Sequence, residues 1–112
     1  MYRATKHKFK IRKVMKNLIG KKVIVRADRA GVFYGTLTSK EGSEVTLENA
    51  RKLYYWTGAN AVEEIALRGV KKSSGCKFTV INSEITINNW IQINPCTDEA
   101  INNIESVVEW KN

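Results

Sequence analysis

The stretch KVIVRADRAGVFYGTLTSKEGSEVTL, from Lys22 to Leu47, decides the fold of this 112-residue chain. Apolar and polar side chains alternate along it with a period of two, which is typical of β-strands. Gly35 interrupts one alternating run, and a glycine inside a strand indicates a bulge or a sharp bend. The pattern predicts strands and turns in the order strand Val23–Ala27, turn Asp28–Gly31, strand Val32–Ser39, turn Lys40–Ser43 and a strand that begins at Val45.

The second half of the chain predicts two helices and further strands. Arg51–Trp56 is rich in bulky β-formers, and it continues the third strand or forms a fourth. Apolar residues at helical spacing predict a short helix over Ala59–Arg68 and a last helix from Asp98 to about Glu109. Between these helices we predict the strands Lys77–Ile81, Glu84–Ile87 and Trp90–Ile93, with a tight turn at Asn82-Ser83.

The N-terminal segment predicts a helix over His7–Ile19. Ile11, Val14, Met15 and Leu18 follow the spacing of one apolar stripe, although Lys8–Arg12 also alternates like a strand. The length predicts a single domain over residues 1–112, with a basic helical arm at 1–19 and a β-rich body at 20–112. The predicted class is α+β: a mostly antiparallel, strongly bent sheet or small barrel with an N-terminal basic amphipathic helix, a short middle helix and a C-terminal helix.

The positive charge of the chain is concentrated at one end. Residues 1–22 hold nine basic side chains and no acid, whereas the remaining 90 residues hold 10 basic and 11 acidic side chains. The first segment therefore carries +9 and the body −1, which agrees with the net charge of +8. Such a distribution predicts a docking site for a polyanion or an acidic partner.

Two groups of residues are candidates for binding. The predicted phosphate contacts are the basic side chains of the arm, Lys8, Lys10, Arg12, Lys13 and Lys16. The candidate nucleotide or stacking site combines aromatic rings with guanidinium groups, at Arg26, Arg29, Tyr34, Arg51, Tyr54 and Trp56. The alternatives are that the lysines of the arm are only solvated, and that Tyr55 and Trp56 belong to the core or to an oligomer interface.

Other classes of function find little support in the sequence. The only histidine is His7, no phosphate-binding glycine loop precedes a helix, and no metal-ligand spacing is present, so we expect no enzyme, metal or cofactor. We expect neither a transmembrane segment nor a secretion signal, because no apolar run is long enough. Cys76 and Cys96 are predicted to be free, partly buried thiols, although the sequence also allows a disulfide.

Two resemblances extend this interpretation. Residues 23–112 resemble a family of small uncharacterised bacteriophage and prophage proteins, through VIVRADRAGVFYGTL, NARKLYYWTGANAVEEIALRGV and INPC. The resemblance implies a phage origin and carries no activity. Residues 20–47 are similar to the opening strands of Sm-like small barrels, through Gly35, Thr36 and Leu37, but Lys40, Glu41 and Gly42 replace the residues that bind RNA in that family.

The sequence therefore predicts a non-catalytic, phage-type accessory protein that binds nucleic acid through its basic N-terminal helix. One alternative is an anti-defence protein that sequesters a nucleotide immune signal or blocks a host defence protein. Another alternative is a structural protein of the virion. We expect a homo-oligomer in the cytoplasm of an infected bacterial host cell, or in the virion.

Overall fold

The computed structural model describes residues 18–71 and 75–110. These residues form six strands and two short helices. The strands are β1 Lys22–Ala27, β2 Gly31–Glu41, β3 Glu44–Tyr55, β4 Lys77–Phe78, β5 Asn82–Asn88 and β6 Trp90–Pro95. The helices are α1 Val62–Arg68 and α2 Asp98–Glu105.

The strands form one antiparallel sheet in which β3, β2, β1 and β6 follow one another. The far edge of β3 is shared by two strands, because β5 pairs with its first half and β4 with its last residues. Asn89 alone connects β5 to β6, and its backbone lies in the left-handed region at φ 58°. Because β5 and β6 form no ladder with each other in the described ranges, the sheet is open.

The sheet buries side chains on both faces, since successive residues of a strand point to opposite sides. On one face, Val23 and Val25 pack with apolar residues of β2, β3 and β5. On the other face, Ile24 and Tyr34 pack with the apolar sides of α1 and α2. The two helices therefore cover one face of the sheet, and β1 contributes to both cores.

Gly35 allows β2 and β3 to approach each other closely. A Cβ atom at Gly35 would lie 3.0 Å from the Cβ atoms of Leu47 and Ala50. The register between β2 and β3 shifts at this point, between Tyr34 and Thr36. The irregularity that the sequence predicted at Gly35 is therefore confirmed.

The predicted fold class is wrong. The sequence predicted an α+β domain with three helices and a bent sheet or small barrel. The structure has a mostly antiparallel open sheet, and its described residues contain only the two short helices α1 and α2. The N-terminal helix predicted over His7–Ile19 falls almost entirely on residues 1–17, which lie outside the described residues.

The elements of the C-terminal half differ from the prediction in their bounds. Residues 51–55 continue β3, as one of the two predicted alternatives required. No tight turn forms at Asn82-Ser83, because both residues belong to β5 and Asn82 pairs with Ala50 of β3. The helix α2 ends at Glu105 rather than near Glu109, and Val108, which lies within the predicted helix but beyond its observed end, is 81% exposed.

The thiols and the length of the helices agree with the sequence analysis. Cys76 and Cys96 are both free and half-buried, so the predicted free thiols are confirmed. Within the described ranges, no helix is long and apolar enough to cross a membrane.

Candidate functional sites

A cleft of about 500 Å³ opens where the β1–β2 hairpin meets the start of α1. Val32 and Val62 form the apolar part of its lining, and both side chains are almost fully buried. The polar and aromatic part of the lining comes from Arg26, Trp56, Asn60 and Glu63. We call this the Arg26–Trp56 cleft.

Strand register positions Arg26 in the cleft. Arg26 of β1 pairs with Val32 of β2 on one side and with Gln92 of β6 on the other. Side chains of paired residues point to the same face of a sheet. The three residues therefore form a row across three strands, on the face that also carries Ile24 beneath the helices.

Glu63 completes the charged side of the cleft from the first turn of α1. A hydrogen bond from its own backbone N–H is the main cause that lowers its carboxyl pKa, followed by a hydrogen bond with Gln92 and the charge of Arg26. Glu63 is therefore ionised at neutral pH. The amide of Gln92, whose Nε2 donates to Oδ1 of Asn94 at 3.5 Å, lies near this carboxylate. A guanidinium group and a carboxylate thus share one cleft.

Trp56 and Asn60 enter the cleft from the segment that joins β3 to α1. Trp56 follows β3 directly and is half-buried, with part of its ring packed against the core beneath the helices. The backbone N–H of Asn60 donates to Oε2 of Glu64 at 3.2 Å, which ties this segment to the first turns of α1. The indole ring therefore packs against the core on one side and lines the cleft on the other.

A second candidate site is an exposed group of aromatic rings near the C-terminus. Tyr54 is 60% exposed and Trp110 is 42% exposed, and their ring centroids lie 5.9 Å apart at an interplanar angle of 27°. Nζ of Lys77 lies 4.9 Å from the centroid of the Trp110 ring and 5.9 Å from that of Tyr55. We call these four residues the aromatic surface.

Local pairing builds the aromatic surface. Tyr55 pairs with Lys77 where β3 meets β4, and the backbone N–H of Trp110 donates to the carbonyl of Phe78 at 2.8 Å. The end of the described chain is therefore attached beside β4, and Trp110 reaches the ring of Tyr54. Lysine above an aromatic face forms a cation–π contact, and the same arrangement attracts nucleobases and phosphates.

Tyr34 belongs to the core and not to a binding surface. Its ring is buried, and its hydroxyl donates to Oε2 of Glu105 at 2.7 Å. Nζ of Lys22 lies 3.1 Å from the same carboxylate oxygen. Burial, followed by the hydrogen bond to Glu105, raises the pKa of Tyr34. These contacts join the end of α2 to β1 and β2.

Arg51 is likewise buried, with 3% of its side chain exposed. Its Nε donates to the carbonyl of Thr79 at 3.0 Å, and its Nη1 donates to the carbonyls of Ile104 and Val107 at 3.2 and 2.9 Å. Burial lowers the pKa of the guanidinium, while Glu109 and Tyr34 partly oppose that effect. Arg51 thus binds one carbonyl in the last turn of α2, that of Ile104, and one just beyond the helix, that of Val107.

The predicted candidate residues therefore separate into five groups. Arg26 and Trp56 meet in the cleft, and Tyr54 belongs to the aromatic surface. Tyr34 and Arg51 are structural, and Arg29 lies exposed in the β1–β2 turn with a backbone φ of 64°. The predicted phosphate contacts lie outside the described residues, namely Lys8, Lys10, Arg12, Lys13 and Lys16.

Sequence reasoning missed several residues of both sites. It assigned no binding role to Asn60, Glu63, Lys77 or Gln92. The contact of Gln92 with the cleft depends on the pairing of β6 with β1, which are separated by more than sixty residues. The period-two pattern predicts which residues form strands, but it does not predict which strands become neighbours.

The described residues form a small antiparallel β domain that carries two candidate binding surfaces. The model of the family described as a domain of unknown function (DUF6948) matches residues 20–104. The chain belongs to this family. No curated protein and no solved structure is significantly similar to the chain. The family match supplies neither a phage origin nor a relationship to Sm-like barrels.

Proposed function

We propose that this protein is a non-catalytic, phage-type accessory protein that binds single-stranded nucleic acid. The observation that carries the proposal is the charge of residues 1–22, which hold nine basic side chains and no acid. Each phosphate that these side chains neutralise releases condensed counterions, and this release drives binding. The proposal depends on the charge of the segment and not on the helix predicted for it.

The aromatic surface supports a single strand as the ligand. Unpaired bases expose their faces, and a base that stacks on an aromatic side chain contributes about 1–3 kcal/mol to binding. Tyr54 and Trp110 present exposed rings, and Lys77 adds a positive charge beside them. A base in a duplex is already stacked on its neighbours, so this surface favours single strands over duplexes.

The salt dependence of binding tests the charged segment. We expect a fluorescent single-stranded DNA of roughly 15 nucleotides to bind, with log K falling against log salt with a slope of about −3.5 if five phosphates are contacted. In the test variant all five predicted phosphate contacts become glutamate, namely Lys8, Lys10, Arg12, Lys13 and Lys16. This variant should not bind, whereas the control R68E/K71E, which changes two exposed residues of the body, should lose much less affinity. Binding that is insensitive to salt, or that survives in the test variant, would refute the proposal.

The aromatic surface has its own test. Tyr54→Leu and Trp110→Leu should each weaken binding of the same strand by about 1–3 kcal/mol, because each removes one stacking ring. Val108→Ala is the matched control, since Val108 is the most exposed of the large apolar side chains beside this surface. If all three variants bind equally well, the strand does not contact the aromatic surface.

The second candidate function is the capture of a small nucleotide, which is one way in which an anti-defence protein could act. It is favoured because Arg26 and Trp56, two residues of the predicted nucleotide site, line one cleft. A deletion of residues 1–16 separates the two functions: it should abolish binding of the strand and leave binding in the Arg26–Trp56 cleft intact. Loss of both activities on this deletion would count against an independent site in the cleft.

A further inference from the structure

We propose that the Arg26–Trp56 cleft binds a guanine base. This inference deepens the second candidate function and rests on it, whereas it does not depend on the charged N-terminal segment. Three properties of the cleft lead to it: the aromatic ring of Trp56 with apolar side chains beside it, the guanidinium group of Arg26, and the carboxylate of Glu63.

The shape of the cleft favours a flat heteroaromatic ligand. The half-buried indole of Trp56 supplies a face on which a ring can stack, and Val32 and Val62 add apolar contact. Its volume of about 500 Å³ lies within the range of small-molecule sites, which is roughly 300–1,000 Å³. A base together with its sugar and one phosphate is a ligand of suitable size.

The charges of the cleft favour a base rather than an isolated phosphate. Arg26 and Glu63 carry opposite charges and lie in the same cleft, so the local net charge is close to zero. A free anion would be attracted by Arg26 and repelled by Glu63 to a similar degree. The favoured ligand therefore offers hydrogen-bond acceptors to Arg26 and donors to Glu63.

Guanine has this arrangement of donors and acceptors. Its O6 and N7 atoms accept, and arginine binds them with two parallel hydrogen bonds. Its N1–H and N2–H₂ groups donate side by side, and they match the two oxygens of an ionised carboxylate, which can only accept. Adenine, cytosine and uracil each place an acceptor on the edge that would face Glu63, so each would leave repulsion there.

Binding of the four nucleoside monophosphates to the full chain, measured by calorimetry, tests the inference. GMP should bind with an affinity roughly tenfold or more above that of AMP, CMP and UMP, since one bidentate contact discriminates between bases by about this factor. Binding should also quench tryptophan fluorescence, and Trp56→Leu should remove that quenching. Equal affinity for all four nucleotides, or binding of none, would overturn the inference.

Variants of the two charged residues show whether the predicted contacts select guanine. Glu63→Gln replaces one acceptor oxygen by a donor, and Arg26→Lys keeps the charge but removes the planar fork, so each should lower the affinity for GMP by roughly tenfold. Glu99→Gln is the matched control, because Glu99 is also an exposed acid in the first turn of a helix. GMP affinity that is unchanged in both test variants would refute the assignment of these contacts.

Two further ligands identify the source of the base and separate this inference from the proposed strand binding. A thymidine oligonucleotide with one central guanine, compared with the all-thymidine strand, reports a base within a strand, whereas GMP reports a free nucleotide. A preference for guanine in either form supports the inference, and each form indicates a different source. Strand binding without any preference for guanine would overturn the inference and leave the proposed strand binding intact. Selective GMP binding without strand binding would support the inference and overturn the proposed strand binding.

Discussion

Replacing Arg51 by methionine should destabilise the fold, because it removes the guanidinium and keeps an unbranched side chain of similar length. In the native protein the guanidinium satisfies three backbone carbonyls, those of Thr79, Ile104 and Val107. A buried acceptor that loses its donor costs about 1–3 kcal/mol, and the carbonyls of Thr79 and Val107 would both lose theirs. The carbonyl of Ile104 also accepts from the backbone N–H of Val107 at 3.3 Å, so it loses less. The substitution also removes the cost of burying a charge, so we expect a net loss of about 3 kcal/mol.

Urea unfolding followed by circular dichroism measures this loss. A loss of about 3 kcal/mol is a large part of the 5–15 kcal/mol typical of a domain, and it should lower the urea midpoint by roughly 1–3 M. Arg68→Met is the matched control, since Arg68 is exposed at the end of α1, and it should change the stability by less than about 1 kcal/mol.

Two outcomes decide the role of Arg51. If Arg51→Met and Arg68→Met unfold at the same urea concentration, the three hydrogen bonds do not stabilise the fold and the reasoning is wrong. If Arg51→Met is too unstable to purify, Arg51→Lys supplies the measurement. Lysine keeps the charge but cannot reach three carbonyls with the same planar geometry, so it should retain an intermediate stability.

Three further predictions concern stability and the reactivity of a thiol. Gly69→Ala should lower the free energy of unfolding by about 3 kcal/mol, because φ is 83° at this position and a Cβ would overlap the Asn103 side chain. An unchanged midpoint of thermal or urea unfolding would contradict this prediction. The hydrogen bond from Tyr34 is the main cause that lowers the carboxyl pKa of Glu105. The ionised carboxylate therefore stabilises the fold above about pH 4.3, and this stabilisation is lost as the pH falls through the lowered pKa. The difference in unfolding free energy between the native protein and Glu105→Gln should therefore shrink between about pH 6 and about pH 3, and a constant difference would contradict the role of the charge. Burial raises the pKa of the Cys96 thiol to about 12. Iodoacetamide at about pH 8 should therefore modify Cys96 much more slowly in the native protein than in urea, and peptide mass spectrometry measures both rates. Equal rates would contradict the burial of this thiol.

The β1–β2 hairpin was predictable from the sequence because its signals are local. Alternation over Val23–Ala27 and Val32–Ser39 predicted two strands, and β1 and β2 cover both segments. The turn between them leads into Gly31, the first residue of β2, whose backbone φ of 109° is one that glycine adopts readily. Neither strand needs a distant partner to be recognised, since its period of two is present in its own residues.

The C-terminal strands were less predictable because distant pairing overrides local composition. Asn82-Ser83 is a typical turn sequence, yet both residues lie in a strand that pairs with β3. The helix α2 ends early, where the side chain of Arg51, more than fifty positions earlier in the chain, binds a carbonyl of its last turn. No local pattern in residues 98–109 contains that information.

The same reason explains which candidate site residues are accessible and which are buried. Arginine and tyrosine near an aromatic segment indicate a binding site only when they are exposed. Arg51 pairs with Tyr34 across β2 and β3, and α2 covers both side chains, so their chemistry is used within the fold. Arg26 lies on the same face of the sheet, but α2 does not cover it, and its side chain remains exposed in the cleft. The boundary of the helical layer therefore separates structural residues from candidate binding residues, and this boundary is a property of the tertiary structure.

The two proposed ligand sites should respond differently to salt, and this follows from their charges. Residues 1–22 carry nine positive charges without an acid, so strand binding depends on counterion release and weakens steeply with salt. In the Arg26–Trp56 cleft a positive and a negative group face one ligand, and stacking and short hydrogen bonds are screened much less. Guanine selectivity should therefore persist at salt concentrations that release the strand. Loss of this selectivity at the same salt concentration as strand binding would contradict the expected difference between the two sites.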